Sequence, residues 1–359
     1  MVAFKRIPVR SLASGANLDV PVYTIRGSNP RAKRAYIQSS MHGSEVQGNA
    51  VIARLLELFA QTPPEGDVVL VPNANPFAIN QKSGEYTLGR FDPTTGDNWN
   101  RNYWLAEITE SSRPPWHKLK RKVWSAMSAT LRARLQTDLP YGQKLALTLQ
   151  ALAVGADYVI DLHCANVSAR HLYTPEYAEQ EARYFQIPLL VSIPNMFSGA
   201  LDESVSCPWW SFWEQLRTEG YPELPPSREL PQGFTLELGG QELISRDDAK
   251  RDAAGIINFL RRQGVASGRA IRPGPVHICA LQDYKTIYST HAGQVEITAS
   301  LGAMAKRGTQ LAQTLQFGRT ASWQATIAQE QCIPILHHSS AVIHEGSELL
   351  KVFTRTRKI

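Results

Sequence analysis

His42 and Glu45 stand three residues apart in the segment His42-Gly-Ser-Glu45, between an apolar run and an amphipathic one. A neutral imidazole nitrogen and a carboxylate oxygen are both zinc donors, and a catalytic zinc keeps three protein ligands with one position open. A turn from strand to helix can aim two such side chains at one point. HxxE alone also describes a surface histidine followed by a glutamate at a helix N-terminus, where the macrodipole favours it. A second histidine, in Asp161-Leu-His163, closes another apolar run. It either serves structure or reaches the same cleft, and Asp161 is a candidate to orient an imidazole.

Two further segments carry chemistry. Glu237 lies within Thr235-Leu-Glu-Leu-Gly-Gly. A carboxylate inside an apolar strand is costly unless it is paired, hydrated or used; a strand-end glutamate facing solvent is the alternative. Asn98-Trp-Asn-Arg-Asn-Tyr103 offers Asn100 and Arg101. A planar guanidinium binds a carboxylate through two parallel hydrogen bonds. The same segment also suits a polar turn with a surface arginine.

The elements that must position these residues alternate. Residues 20–25, 35–38, 67–72, 157–162 and 233–238 read as strands, and 45–60 and 247–262 as amphipathic helices. Strands alternating with helices predict an α/β fold, a mixed sheet flanked by helices. Functional residues in such sheets gather at the C-terminal ends of strands, and three of the segments above follow such runs. Residues 104–156 interrupt the alternation and read as a helical insertion, with helices over 116–135 and 143–152 separated by a Pro-Tyr-Gly turn. Trp209, Trp210 and Trp213 precede a proline-rich loop, a segment suited to cap a cleft or to pack on the surface. After Gly264 the composition becomes that of a linker, and short β-branched runs follow from Val276. This predicts a catalytic domain over 1–265 and a smaller all-β, sandwich-like domain over 266–359, the latter a separate folding unit from about Arg272.

The 359 residues are 43% hydrophobic and 19% charged, an ordinary globular composition with a formal charge of +6. The basic excess is spread out, so nucleic acid is not an expected partner, whereas attraction of small anionic substrates is. Of four cysteines none forms a CxxC pair, which argues against a zinc ribbon or a dithiol site and for reduced thiols. No run resembles a signal peptide or approaches the ~20 apolar residues of a membrane span, so a cytoplasmic location and no membrane partner are expected. Assembly into a homo-oligomer stays open.

Taken in order, HGSE, NR, DLH and TLELG resemble the zinc carboxypeptidase superfamily, and more closely its succinylglutamate desuccinylase/aspartoacylase branch. The segment VPNANPFAIN, around Asn75, Pro76 and Ala78, is similar to the same branch. The resemblance spans roughly residues 20–265. It implies a zinc-carboxypeptidase-like sheet and one zinc per chain held by His42, Glu45 and His163. It makes Glu237 the general base that activates the attacking water, and Asn100 and Arg101 the pair that holds a substrate carboxylate. Arg90, in Gly-Arg-Phe-Asp, is similar to the arginine that stabilises the oxyanion. Ser44 stands where the family often has Asp or Asn, and Trp99 where it has Leu; Cys-Ala-Asn-Val after His163 matches no known specificity. These departures bear on the substrate more than on the metal. The implied reaction is hydrolysis of an amide bond in a small molecule or short peptide bearing a carboxylate, with N-acyl amino acid deacylation first. A metallocarboxypeptidase acting on peptides and a non-catalytic binding protein on the same fold are the alternatives.

Overall fold

A computed structural model describes residues 2–359. A ten-stranded mixed sheet runs in the order β1 (Val2–Ser11), β2 (Asn17–Ile25), β4 (Val68–Val71), β3 (Ala35–Ser39), β7 (Tyr158–Ala165), β11 (Gln232–Gly240), β9 (His171–Pro175), β10 (Leu189–Ile193), β12 (His277–Ala280) and β20 (Arg357–Lys358). The four central strands β4, β3, β7 and β11 are parallel. Helices α1 (Gln47–Gln61) and α6 (Arg246–Arg262) cover one face. Helices α3 (Tyr141–Ala153) and α5 (Leu201–Thr218) cover the other. Helix α2 (Trp116–Arg134) packs outside α3 and shares an apolar cluster with α5, and α4 (Glu179–Ala182) is a single turn.

The helix α1 forms because Val51, Leu55 and Phe59 recur every four residues, with Ile52 beside them, and all are buried together against the sheet. Burying each such side chain contributes roughly 1.5–3 kcal/mol. Thr62-Pro-Pro stops the helix, since proline cannot continue it.

Side-chain alternation then sorts the sheet into two chemistries. In β3, β7 and β11 the residues Ala35, Ile37, Ile160, Leu162, Cys164, Phe234, Leu236 and Leu238 belong to the core beneath α1 and α6. With a period of two, the intervening residues point to the α3–α5 face. These are Tyr36 and Gln38, Asp161 and His163, and Thr235 and Glu237. Polar residues thus collect on one face, at the C-terminal ends of three adjacent strands.

Three expectations need correction. Residues 104–156 are not simply an insertion, because Leu145, Ala146, Leu149 and Ala153 of α3 pack directly on the sheet core. The Pro-Tyr-Gly segment is no turn; Tyr141 begins α3. The C-terminal region does not stand apart. Its β12 pairs in parallel with β10, and its last strand β20 pairs with β12, so both extend the main sheet. The rest forms two four-stranded sheets. One comprises β13 (Tyr284–Tyr288), β19 (Glu348–Phe353), β17 (Ile333–His337) and β8 (Val167–Ser168), the last lent by the main region. The other comprises β16 (Ala321–Ile327), β15 (Gln310–Phe317), β14 (Gly293–Ile297) and β18 (Val342–Ile343). A small hairpin of β5 (Lys82–Ser83) and β6 (Tyr86–Thr87) completes the strands.

Trp209 is buried in α5, edge-on to Trp116 and Trp124 of α2, so it fixes that helix pair rather than capping a cleft. All four cysteines are free and buried. Among the described residues no helix is long and apolar enough to cross a membrane.

Candidate active site

The turn after β3 aims His42 and Glu45. Ser40 sits there at φ 60°, a left-handed conformation that costs a non-glycine residue energy and that tends to be stored at functional sites. Its hydroxyl donates to the Glu45 carbonyl at 3.0 Å and accepts from Asn49 at 2.9 Å. Asn75, from the VPNANP segment, braces the same turn by donating to the Met41 carbonyl at 3.2 Å. Gly43 is required by space: a Cβ there would lie 2.2 Å from the Ala78 carbonyl oxygen.

The imidazoles of His42 and His163 converge on the Glu45 carboxylate from two sides. His42 Nδ1 is 2.8 Å from Glu45 Oε1, and His163 Nδ1 is 2.6 Å from Oε2. All three residues are buried, and one donor atom from each lies within 4.8 Å of the others. The outward nitrogens are held as well. Asn98 Oδ1 is 2.8 Å from His42 Nε2, and Asp161 Oδ2 is 2.9 Å from His163 Nε2. An oxygen beside Nε2 favours the proton there and frees the Nδ1 lone pair for a metal, the usual way a protein presents histidine to one.

Asp161 is fixed in turn. Gln38 Nε2 donates to its Oδ1 at 3.0 Å, while Gln38 Oε1 accepts from the Tyr36 hydroxyl at 2.9 Å. Gln38, Asp161 and Tyr36 are all fully buried.

The parallel register sets Glu237 directly beside His163. Its Oε2 is buried and has no hydrogen-bond partner. An orphaned carboxylate oxygen in a protein interior is expensive, and here it stands next to a candidate metal cluster. Burial, then the neighbouring Glu45 charge, push the Glu237 carboxyl up to about 7, against the pull of His163 and Arg90. For Glu45 burial acts upward too, but the two imidazoles outweigh it and hold the carboxyl below the usual carboxylate range. At His163 burial opposes protonation, and the Asp161 and Glu45 carboxylates reverse that, raising its pKa.

The remaining sequence candidates lie around this cluster. Half-exposed Arg90 reaches Glu45 Oε1 with Nη1 at 3.2 Å. Asn100 is buried, its Nδ2 3.3 Å from His163 Nε2, and its Oδ1 has no partner. Arg101 is exposed, donates Nη1 to the Asn100 carbonyl at 2.7 Å, and forms no ion pair with Asp92 or Asp97. Sequence reasoning missed Tyr173 on β9 and Tyr284 on β13. Burial first, and the nearby Glu237 charge as well, raise both phenols. The Tyr284 hydroxyl is buried without a well-formed hydrogen bond. The C-terminal region therefore brings a side chain close to Glu237, and no local signal marks this, because a tyrosine in a short β run looks like any strand tyrosine.

The family model for the succinylglutamate desuccinylase/aspartoacylase catalytic domain matches residues 31–262, well over half of the chain. The chain belongs to that family. Its members are hydrolases, and the buried His-Glu-His cluster lies within the matched residues. A crystal structure from Shewanella frigidimarina NCIMB 400, assigned to the same family, is 40% identical. It covers 99% of this chain and 98% of its own, with a TM-score of 0.94. A family protein from Shewanella amazonensis SB2B is 38% identical, covering 99% and 100%, with the same TM-score. The product-bound ectoine utilization protein EutE (DoeB) of Ruegeria pomeroyi, 19% identical over 99% and 95% of the two chains, shares the fold at a TM-score of 0.67. No curated protein sequence matches the chain.

Proposed function

We propose that the protein is a zinc-dependent deacylase that hydrolyses the amide bond of N-acyl amino acids. The observation that carries this is the buried set of two imidazole nitrogens and one carboxylate, with an unpartnered glutamate oxygen on the adjacent strand. The donor set fits zinc in kind and number: two imidazole nitrogens and a carboxylate oxygen, with a side-chain oxygen beside each outward nitrogen. His42, Glu45 and His163 would hold one zinc per chain. A zinc there supplies Lewis acidity, polarising a carbonyl oxygen and acidifying water.

The chain's own residues do the rest. Glu237 accepts a proton from water as the water oxygen bonds to the amide carbon, and returns it to the nitrogen as the C–N bond breaks. A carboxyl near neutrality, about 7 before any metal binds, suits both halves of that cycle. Arg90, with its guanidinium at the edge of the cluster, is the candidate to stabilise the developing oxyanion, a role typically contributing ~3 kcal/mol. Arg101 has its donors free of protein acids and is the candidate to bind the substrate carboxylate. Asn100, whose amide lies against His163 Nε2 and whose Oδ1 has no partner, is the candidate to offer that side chain to substrate.

The test is amine release by zinc-loaded protein from N-succinyl and N-acetyl amino acids, alongside C-terminal amino-acid release from short peptides. Turnover of the N-acyl amino acids supports the reading. Turnover of peptides alone makes the protein a metallocarboxypeptidase, and neither activity with metal bound makes it a binding protein.

A further inference from the structure

We propose that the exposed edge strand β16 is a homodimer interface, through which two copies of this chain pair antiparallel about a two-fold axis at Gln324. The strand closes one side of its sheet and, among the described residues, has no neighbour there. Edges of this kind are normally protected by lysine, proline, a bulge or a covering loop. β16, with the sequence ASWQATI, has no charge and no proline, and the irregularity in its ladder lies on β15 between Gln310 and Ala312.

Its polarity is inverted as well. Ala321, Trp323, Ala325 and Ile327 are exposed, while Gln324 and Thr326 are half-buried against the small domain. Trp323 is 53% exposed and Ile327 44%. Across the ladder Leu315 faces Trp323, and Phe317, 73% exposed, faces Ala321, so the apolar surface continues onto β15. Alongside, a groove of about 370 Å³ separates β16 from β13 and is walled by Ile287, Tyr288, Ala325 and Ile327. It gives a second strand room to seat.

The backbone fixes the register. Ala328 bonds to Gly308 and Thr309, and Thr320 accepts from Gly318, so even-numbered residues direct their backbone groups towards β15. Residues 321, 323, 325 and 327 therefore present theirs to the open edge. Pairing that uses all four from each copy sets Trp323 opposite Ala325 and Ala321 opposite Ile327 of the second copy, a large side chain against a small one each time. Charge also matches. Exposed Arg319 and exposed Glu330, both outside the ion pairs of their own chain, lie just beyond opposite ends of β16, so antiparallel pairing brings the basic end of each copy to the acidic end of the other. A second copy satisfies edge, face and charge together.

The experiment uses the full chain. Sedimentation over a dilution series should give twice the chain mass for wild type and the chain mass for Ala325→Arg, with unchanged circular dichroism. On the two-fold axis Gln324 meets itself in a non-hydrogen-bonded pair, where Cα atoms are ~4.5 Å apart, within the range a disulfide spans. Gln324→Cys should therefore be captured as a covalent dimer on mild oxidation. Ser322→Cys, whose two copies would stand ~13 Å apart along the strands, should not be. The native cysteines are buried and do not compete. A monomeric wild type, a dimer that survives Ala325→Arg, or equal cross-linking of the two cysteine variants overturns the proposal. If Ala325→Arg does not fold, the cysteine pair decides alone.

Discussion

Replacing Asp161 by asparagine exchanges one carboxylate oxygen for an NH₂ group and should invert the last contact of a buried polar chain. In the native protein the Tyr36 hydroxyl donates to Gln38 Oε1, Gln38 Nε2 donates to Asp161 Oδ1, and Asp161 Oδ2 stands 2.9 Å from His163 Nε2. Keeping Gln38 as it stands preserves the roles of the Tyr36 and Tyr103 hydroxyls, both of which touch its amide. With that orientation kept, an asparagine at position 161 gives its oxygen to Gln38, which leaves its NH₂ facing His163 Nε2. Two donors cannot share that contact, so the imidazole proton moves to Nδ1, the nitrogen that faces Glu45. A protonated Nδ1 is no longer a metal ligand. Loss of such an orienting partner typically costs 10–100-fold in metal affinity, about 1.4–2.8 kcal/mol. Chelator competition would measure the zinc affinity, and long-range ¹H–¹⁵N correlation on histidine-labelled protein would report which nitrogens of His163 carry protons. An Asp161→Asn protein that keeps its proton on His163 Nε2 and binds zinc within twofold of wild type would refute the reasoning.

Three other outcomes follow from the same structure. Glu237→Gln should keep its zinc and lose about 10²–10⁴-fold in kcat, since an amide of nearly the same size cannot accept the proton; wild-type turnover would put the base elsewhere. Arg101→Lys should lower kcat/KM about ten- to a hundredfold, the equivalent of ~1.5–3 kcal/mol for a charge-assisted bond. The loss should be confined to substrates with a free carboxylate, and equal slowing of the amidated analogue would make Arg101 structural. Burial lowers His171 to about 4, so between that value and the unfolded value of ~6.5 the unfolded chain binds the extra proton. Stability should then fall as pH falls through this window, by about 2 kcal/mol between pH ~7.5 and ~5 from this residue. Urea unfolding of wild type and His171→Asn checks it, and an equal loss in both proteins would assign the acid sensitivity to other groups.

Much of the site can be read before folding because its residues sit at the ends of elements with strong local patterns. The run before His163 is apolar, the run after Glu45 is helical in period, and Glu237 interrupts an otherwise apolar strand. Their convergence needs only a parallel sheet with one register. What resists reading depends on pairing at a distance. β12 and β20 are four and two residues long and carry no signal of their own; they join the main sheet only because β10 offers an edge. Tyr284 reaches the neighbourhood of Glu237 by the same long-range packing. The role of Asn98 is hidden differently. It belongs to a recognisable polar segment, but only coordinates show that its oxygen, and not that of Asn100, orients His42.

The central claim is that His42, Glu45 and His163 hold a metal, and elemental analysis of purified protein tests it most directly. The wild type should carry one zinc per chain, and His163→Ala, folded by circular dichroism, should carry almost none. Equal zinc in the two proteins would contradict the assignment of these three residues as the metal site.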